Sequence, residues 1–230
     1  MTYTEPEVAE SRVEASRTRR AGVWWAPHRI GWWTGVLFAI GSACFLVAPF
    51  PGFVELVGST VDGVVFFVGS IFFTSAALLQ AVQAVEVLDR WSSLVQLAGT
   101  IFFNVSTFRA LQTSLDSSAY DRLVWSPDAF GSICFLVAGG IAYAAVRRLR
   151  RSPLWWIAVV NLAGCVAFGI SAIAGYVVPS TGDALDLAAA NSWTSLGALC
   201  FLVGSVLLLP ASDDGGAGDG TGSARIAPTG

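Results

Sequence analysis

The chain has 230 residues, of which 54% are hydrophobic and only 13% charged, and its formal net charge is −3. Soluble domains carry about 25% charged residues, so this balance excludes a water-soluble globular protein and a nucleic-acid-binding surface and points to a membrane. All thirteen basic residues are arginine, and a lysine-free chain rich in Ala, Val, Gly and Arg is expected from a bacterium with a GC-rich genome.

Residues 1–29 are polar and charged, with Glu5, Glu7, Glu10 and Glu14 ahead of Arg12, Arg17, Arg19, Arg20 and Arg29, and read as a cytoplasmic tail. Six apolar runs follow, each long enough for the roughly 20 residues that a bilayer core requires. The first is expected from Ile30 to Ala48, stopped by the turn at Pro49, Pro51 and Gly52. The second runs from Asp62 to Val82 and continues as a polar helix end from Gln83 to Leu88. The third runs from Trp91 to Leu111, the fourth from Pro127 to Val146, the fifth from Pro153 to Val178 and the sixth from Asn191 to Leu209. Residues 211–230 are rich in Gly, Asp, Ser and Thr, and this composition predicts a disordered tail. With the amino terminus inside, eleven arginines fall on the cytoplasmic side, leaving Arg109 and Arg122 outside. That asymmetry sets the orientation and places both termini in the cytoplasm of a multi-pass plasma-membrane protein.

Every predicted span contains one pattern, a glycine followed four residues later by phenylalanine. The pairs are Gly41 and Phe45, Gly69 and Phe73, Gly99 and Phe103, Gly131 and Phe135, Gly164 and Phe168, and Gly197 and Phe201. Residues four apart share a helix face, so each pair sets a notch beside a knob, a natural unit for packing helices in lipid. Trp33, Trp91 and Trp156 stand eight residues before the glycine of the odd spans (41−33, 99−91, 164−156) and are absent from the even ones. The repeating unit is therefore a helical hairpin. The expected fold is all-α: a polytopic bundle of six transmembrane helices in three parallel two-helix repeats, with hairpins over 30–88, 89–152 and 153–210.

Polar residues inside a membrane mark glue or function. Gln96, Thr100, Asn104 and Thr107 form a stripe on the third span, with Asn161 of the fifth and Ser70 and Thr74 of the second expected to face it. This stripe is the candidate polar path. The run Arg147, Arg148, Arg150 and Arg151 suits anionic lipid headgroups. Acidic residues of the outer connectors, Asp128 among them, form a second feature able to attract cations. The single histidine, His28, lies outside the spans and the four cysteines inside them, none in a Cys-x-x-Cys pair. No metal site, cofactor or catalytic set is therefore expected.

The stretches Ile40-Gly41-Ser42-Ala43-Cys44-Phe45 and Val68-Gly69-Ser70-Ile71-Phe72-Phe73 resemble the YrhK-like family, small bacterial membrane proteins built on a two-helix unit with a Gly-Ser and Phe signature. The first hairpin carries the likeness best, and the later copies replace the serine by Thr100, Cys165 or Ala198. The family has no established activity, so the resemblance implies a fold and no functional residue. Two functional readings follow. One is a non-enzymatic protein with an interaction or membrane-organising role, partnered by lipids and by its own copies or another membrane protein. The alternative is a channel or transporter for a small polar solute, lined by the third-span stripe.

Overall fold

The computed structural model describes residues 24–112, 116–178 and 180–211. Residues 1–23 and 212–230, most of the two expected tails, lie outside the described residues. The rest is helical: α1 (Ile30–Val47), α2 (Pro51–Val57), α3 (Ser59–Gln83), α4 (Val87–Ala110), α5 (Ser117–Tyr120), a π-helical turn (Asp121–Trp125), α6 (Ser126–Val146), α7 (Pro153–Ala174) and α8 (Leu187–Ala211). Among the described residues the only extended pairing is an isolated bridge between Val177 and Ala184. Helices α1, α3, α7 and α8, together with the continuous helical stretch Ser117–Val146, are long and apolar enough to cross a membrane. At 24 residues α4 is comparably long. It is less apolar because it carries Asp89, Arg90, Gln96, Asn104 and Arg109.

The helix ends correct several expected boundaries. Pro51 does not merely turn the chain but opens α2 at its first turn, where its fixed φ suits a helix. Gly58, at a φ of 82°, then redirects the chain into α3. The polar extension from Gln83 to Leu88 is broken: Ala84 and Glu86 are extended, and α4 begins at Val87. The fifth long helix stops at Ala174 rather than Val178, because Val177 is drawn into the bridge with Ala184. The sixth starts at Leu187, four residues early, since the Asp186 carboxylate accepts the Ala189 N–H at 2.8 Å and caps its first turn.

The six long helices form a closed ring. Each packs on its neighbour in chain order, α1 on α3, α3 on α4, α4 on α6, α6 on α7 and α7 on α8, and α8 returns to α1. Neighbours are antiparallel. The start of α1 meets the end of α3 through a Gln83 Nε2–H bond to Thr34 Oγ1 of 2.9 Å, and the start of α4 meets late α6 through a Ser92 hydroxyl bond to the Ala138 carbonyl, also 2.9 Å. One end of the ring thus gathers Arg29, Arg90, Arg147, Arg148, Arg150 and Arg151, and the other has Arg109 and Arg122. Trp33, Trp91 and Trp156 are 46, 59 and 49% exposed, so all three face away from the ring at the arginine-rich end, the position favoured by indoles at an interface.

The Gly and Phe pairs interlock reciprocally. A Cβ placed on Gly41 would stand 2.8 Å from the Phe73 ring, and one on Gly69 would stand 3.0 Å from the Phe45 ring. The same exchange links Gly99 with Phe135 and Gly131 with Phe103, then Gly164 with Phe201 and Gly197 with Phe168. Three helix pairs, α1 with α3, α4 with α6 and α7 with α8, therefore share one contact. Cys44, Cys134 and Cys200 belong to it, each presenting its Cβ to the opposite glycine.

All six phenylalanines are buried in one core cluster on the ring axis. They form two triangles. Phe45, Phe103 and Phe168 have ring centroids 6.4, 6.1 and 5.9 Å apart. Phe73, Phe135 and Phe201 stand 6.5, 5.9 and 5.7 Å apart. Four further contacts join the triangles, the shortest being Phe103 to Phe135 at 5.0 Å. Behind them Ser42, Ser70, Thr100, Ser132, Cys165 and Ala198, the residues after each glycine, are all buried.

Filling one notch should unlock one pair. Gly99→Ala sets a methyl 2.7 Å from Phe135 Cδ1 and 3.0 Å from Cys134 Cβ, and overpacking of this kind costs about 1–3 kcal/mol. Gly140→Ala, with nothing within 4 Å, should be neutral or gain up to about 1 kcal/mol of helix propensity. Reversible unfolding of both variants in detergent checks the contrast.

Candidate functional site

Two cavities lie on the axis, one on either side of the phenylalanine core. The one toward the arginine-rich end encloses about 160 Å³, and its polar wall is Gln80, Asp89, Gln96, Asn161 and Ser205. The one toward the arginine-poor end encloses about 230 Å³, and its polar wall includes Ser106, Thr107, Asp128, Ser171, Asn191 and Thr194. Between them a void of about 10 Å³ is lined by Ser70 and five of the six phenylalanines. This is at the limit of room for a single water, which would need polar partners to stay.

Helix geometry explains which side chains reach these cavities. Seven residues make nearly two turns, so the position seven before each axial phenylalanine shares its face. On α1, α4 and α7 these are Phe38, Gln96 and Asn161 (45−38, 103−96, 168−161), and all three line the first cavity. On α3, α6 and α8, which run the opposite way, they are Phe66, Asp128 and Thr194 (73−66, 135−128, 201−194), and all three line the second.

The candidate polar path is divided by this arrangement. Gln96 and Asn161 share the arginine-rich cavity, and Thr107 lines the other. Thr100 is fully buried and donates to the Leu97 carbonyl at 2.7 Å. Asn104 turns toward α3, its Nδ2–H donating to Thr74 Oγ1 at 2.9 Å. Thr107 bonds Ser70 across the same interface at 3.0 Å. Ser70 and Thr74 thus meet the stripe as expected, whereas Asn161 packs its Oδ1 against Gly204 of α8, on the far side of the axis. Asn161 Oδ1, Asn104 Oδ1 and Ser42 Oγ are buried without a hydrogen-bond partner among the described residues.

Sequence reasoning missed Gln80, Asp89, Ser205, Tyr120 and Asn191 as wall residues, and it treated Asp128 as belonging to the outer connectors. A signal for Asp128 was available: it sits in the same register, three before the glycine (131−128), as Phe66 and Thr194 (69−66, 197−194). Arg147, Arg148, Arg150 and Arg151 are exposed together in the turn between α6 and α7, with Arg151 at a φ of 71°. At the opposite end the carboxyl of exposed Asp116 is held below the usual carboxylate range by the Ala119 N–H and the Ser118 hydroxyl. No group of three His, Cys, Asp or Glu able to hold a metal ion is found among the described residues.

Removing the Asn104 amide should cost about 0.6–2 kcal/mol, the range for an interhelical hydrogen bond in a membrane. Gln96 makes no side-chain hydrogen bond among the described residues, and Gln96→Leu should stay within about 0.5 kcal/mol of the native chain. Unfolding of Asn104→Leu and Gln96→Leu side by side separates a residue that holds helices together from one that lines a space.

Comparison with protein-family models, with curated proteins and with solved structures finds no match to this chain.

Proposed function

We propose that the chain is a six-span, non-enzymatic protein of the bacterial plasma membrane, built as three parallel hairpins with both termini cytoplasmic, and that its ring encloses a closed route for a small polar solute. The observation that carries this is the series of two cavities on one axis, each with several polar side chains set in a mostly apolar wall, separated by the phenylalanine core. Counting α4 as the sixth span is supported by its place in the ring, where Gln96 and Thr107 turn to the axis, Asn104 to α3 and Ser92 to α6, leaving Ile101, Phe102, Val105 and Phe108 outward. Orientation follows from the arginines at one end of the ring, where Arg147, Arg148, Arg150 and Arg151 would meet lipid headgroups. The Gly and Phe hairpin is also the ground for placing the chain beside the YrhK-like proteins.

In this reading the route is the ring axis, and the α4 stripe contributes only Gln96 and Thr107 to it. The gate is the double triangle of rings, which leaves no wetted passage in the present conformation. A hydrophobic constriction of this kind blocks polar solutes by dewetting. The second reading, an interaction or membrane-organising protein, is favoured by the interlocked pairs, which consume the conspicuous glycines and phenylalanines in packing.

Glycerol flux into proteoliposomes decides between them. Phe103→Ala and Phe135→Ala remove the two closest rings of the gate and should raise the rate at least about tenfold over the native chain, a barrier change near 1.4 kcal/mol. Large-to-small changes here cost about 3–5 kcal/mol of stability, so Phe103→Leu serves as a milder opening of the same gate. Folded variants no leakier than protein-free vesicles would leave the packing reading in possession.

A further inference from the structure

Of the six wall positions two turns ahead of an axial phenylalanine, five hold Phe, Gln, Asn or Thr, and one holds a carboxylate, Asp128. It lines the larger cavity, at the arginine-poor end. No Arg or His lines that cavity, and the Asp128 side chain makes neither a hydrogen bond nor an ion pair with any described residue. A carboxylate drawn away from bulk water without a counter-charge is costly, so a cation entering this space would be stabilised there.

The remaining wall indicates which cation. Ser106, Tyr120 and Asn191 line the same cavity, their side chains make no hydrogen bond among the described residues, and so they offer free oxygens to a donor. Phe66, Tyr120 and Trp125 add aromatic surface. The Trp125 indole is fixed, since its Nε1–H donates to the Ala172 carbonyl at 2.7 Å and its ring meets Tyr176 edge-on at 4.9 Å. Calcium and its like take six to eight oxygens, several of them carboxylate, which this wall does not supply. One negative charge, neutral acceptors and aromatic faces match instead a singly charged alkylammonium, whose N–H groups need acceptors and whose charge and methylenes suit the rings.

We propose that the cavity at the arginine-poor end binds a small monovalent organic ammonium, with Asp128 as its counter-ion. The site does not depend on passage through the ring, since a binding protein that never opens would use it equally well.

Equilibrium binding of radiolabelled ethylammonium to the full chain in nanodiscs tests this. Saturable binding is expected, weakened at least about tenfold by Asp128→Asn, which is about 1.4 kcal/mol. Asp183→Asn, which removes the same charge from an exposed loop at the same end, should change affinity less than about twofold, as exposed charges screened by salt do. Absence of saturable binding, equal weakening by both variants, or competition by propan-1-ol as effective as by unlabelled ethylammonium would each overturn the site. Should Asp128→Asn fail to fold, tryptophan emission replaces it. Ethylammonium should shift the native emission saturably and leave folded Trp125→Phe unchanged, and a shift that survives in Trp125→Phe or is absent from the native chain overturns the proposal. Binding without glycerol flux through the opened gate would keep this site while removing the route.

Discussion

The fold depends on a ring of phenylalanine seated in the notch of a glycine on the facing helix. In lipid, helices gain no hydrophobic free energy by meeting, so contact has to come from shape. A missing side chain on Gly99 admits the ring of Phe135, and Gly131 returns the opening to Phe103. Repeated in three helix pairs, this exchange brings the six rings together on the axis as two triangles. There they pack mostly edge to face, an arrangement worth about 0.5–1.5 kcal/mol per pair beyond burial. The ring closes because α8 meets α1 as α3 meets α4.

A filled axis makes the positions two turns away from each phenylalanine into the walls of two cavities. Odd and even helices run in opposite directions, so one register rule yields Phe38, Gln96 and Asn161 at one end and Phe66, Asp128 and Thr194 at the other. The chemistry of each cavity is then a matter of which residue fills a shared slot. The arginine-rich end received two amides there, and the arginine-poor end received a carboxylate and a hydroxyl. Hydrogen bonds between α3 and α4, from Asn104 to Thr74 and from Thr107 to Ser70, join two pairs where no Gly and Phe exchange does so.

Much of this was legible in the residues. The glycine and phenylalanine four apart gave a notch and a knob on one face, and the structure pairs them. The spacing of Trp33, Trp91 and Trp156 distinguished odd helices from even, and all three indoles lie outward at one end. What could not be read was the direction of that face. Periodicity places Asn104 and Thr107 on the same side of α4 to within a turn, yet whether a side chain points to the axis or to α3 depends on the helix's rotation, which the neighbouring helices fix. Asp128 is a different case: its register three before Gly131 was legible, but beside Pro127 and a long connector it looked like a loop acid, and the helical stretch from Ser117 puts it on the inward face. Helix ends were misjudged where a local contact outweighed composition, as at Asp186, whose carboxylate starts α8 a full turn early.

The axial meeting of the rings is tested most directly by Phe45 and Phe168, which belong to α1 and α7, helices that are not neighbours in the ring and touch through these side chains at 6.1 Å. A double-mutant cycle with Phe45→Leu and Phe168→Leu, read by reversible unfolding in a bilayer mimetic, should return a coupling of about 0.5–1.5 kcal/mol. Coupling within error of zero, with both single variants folded, would contradict an axis filled by phenylalanine.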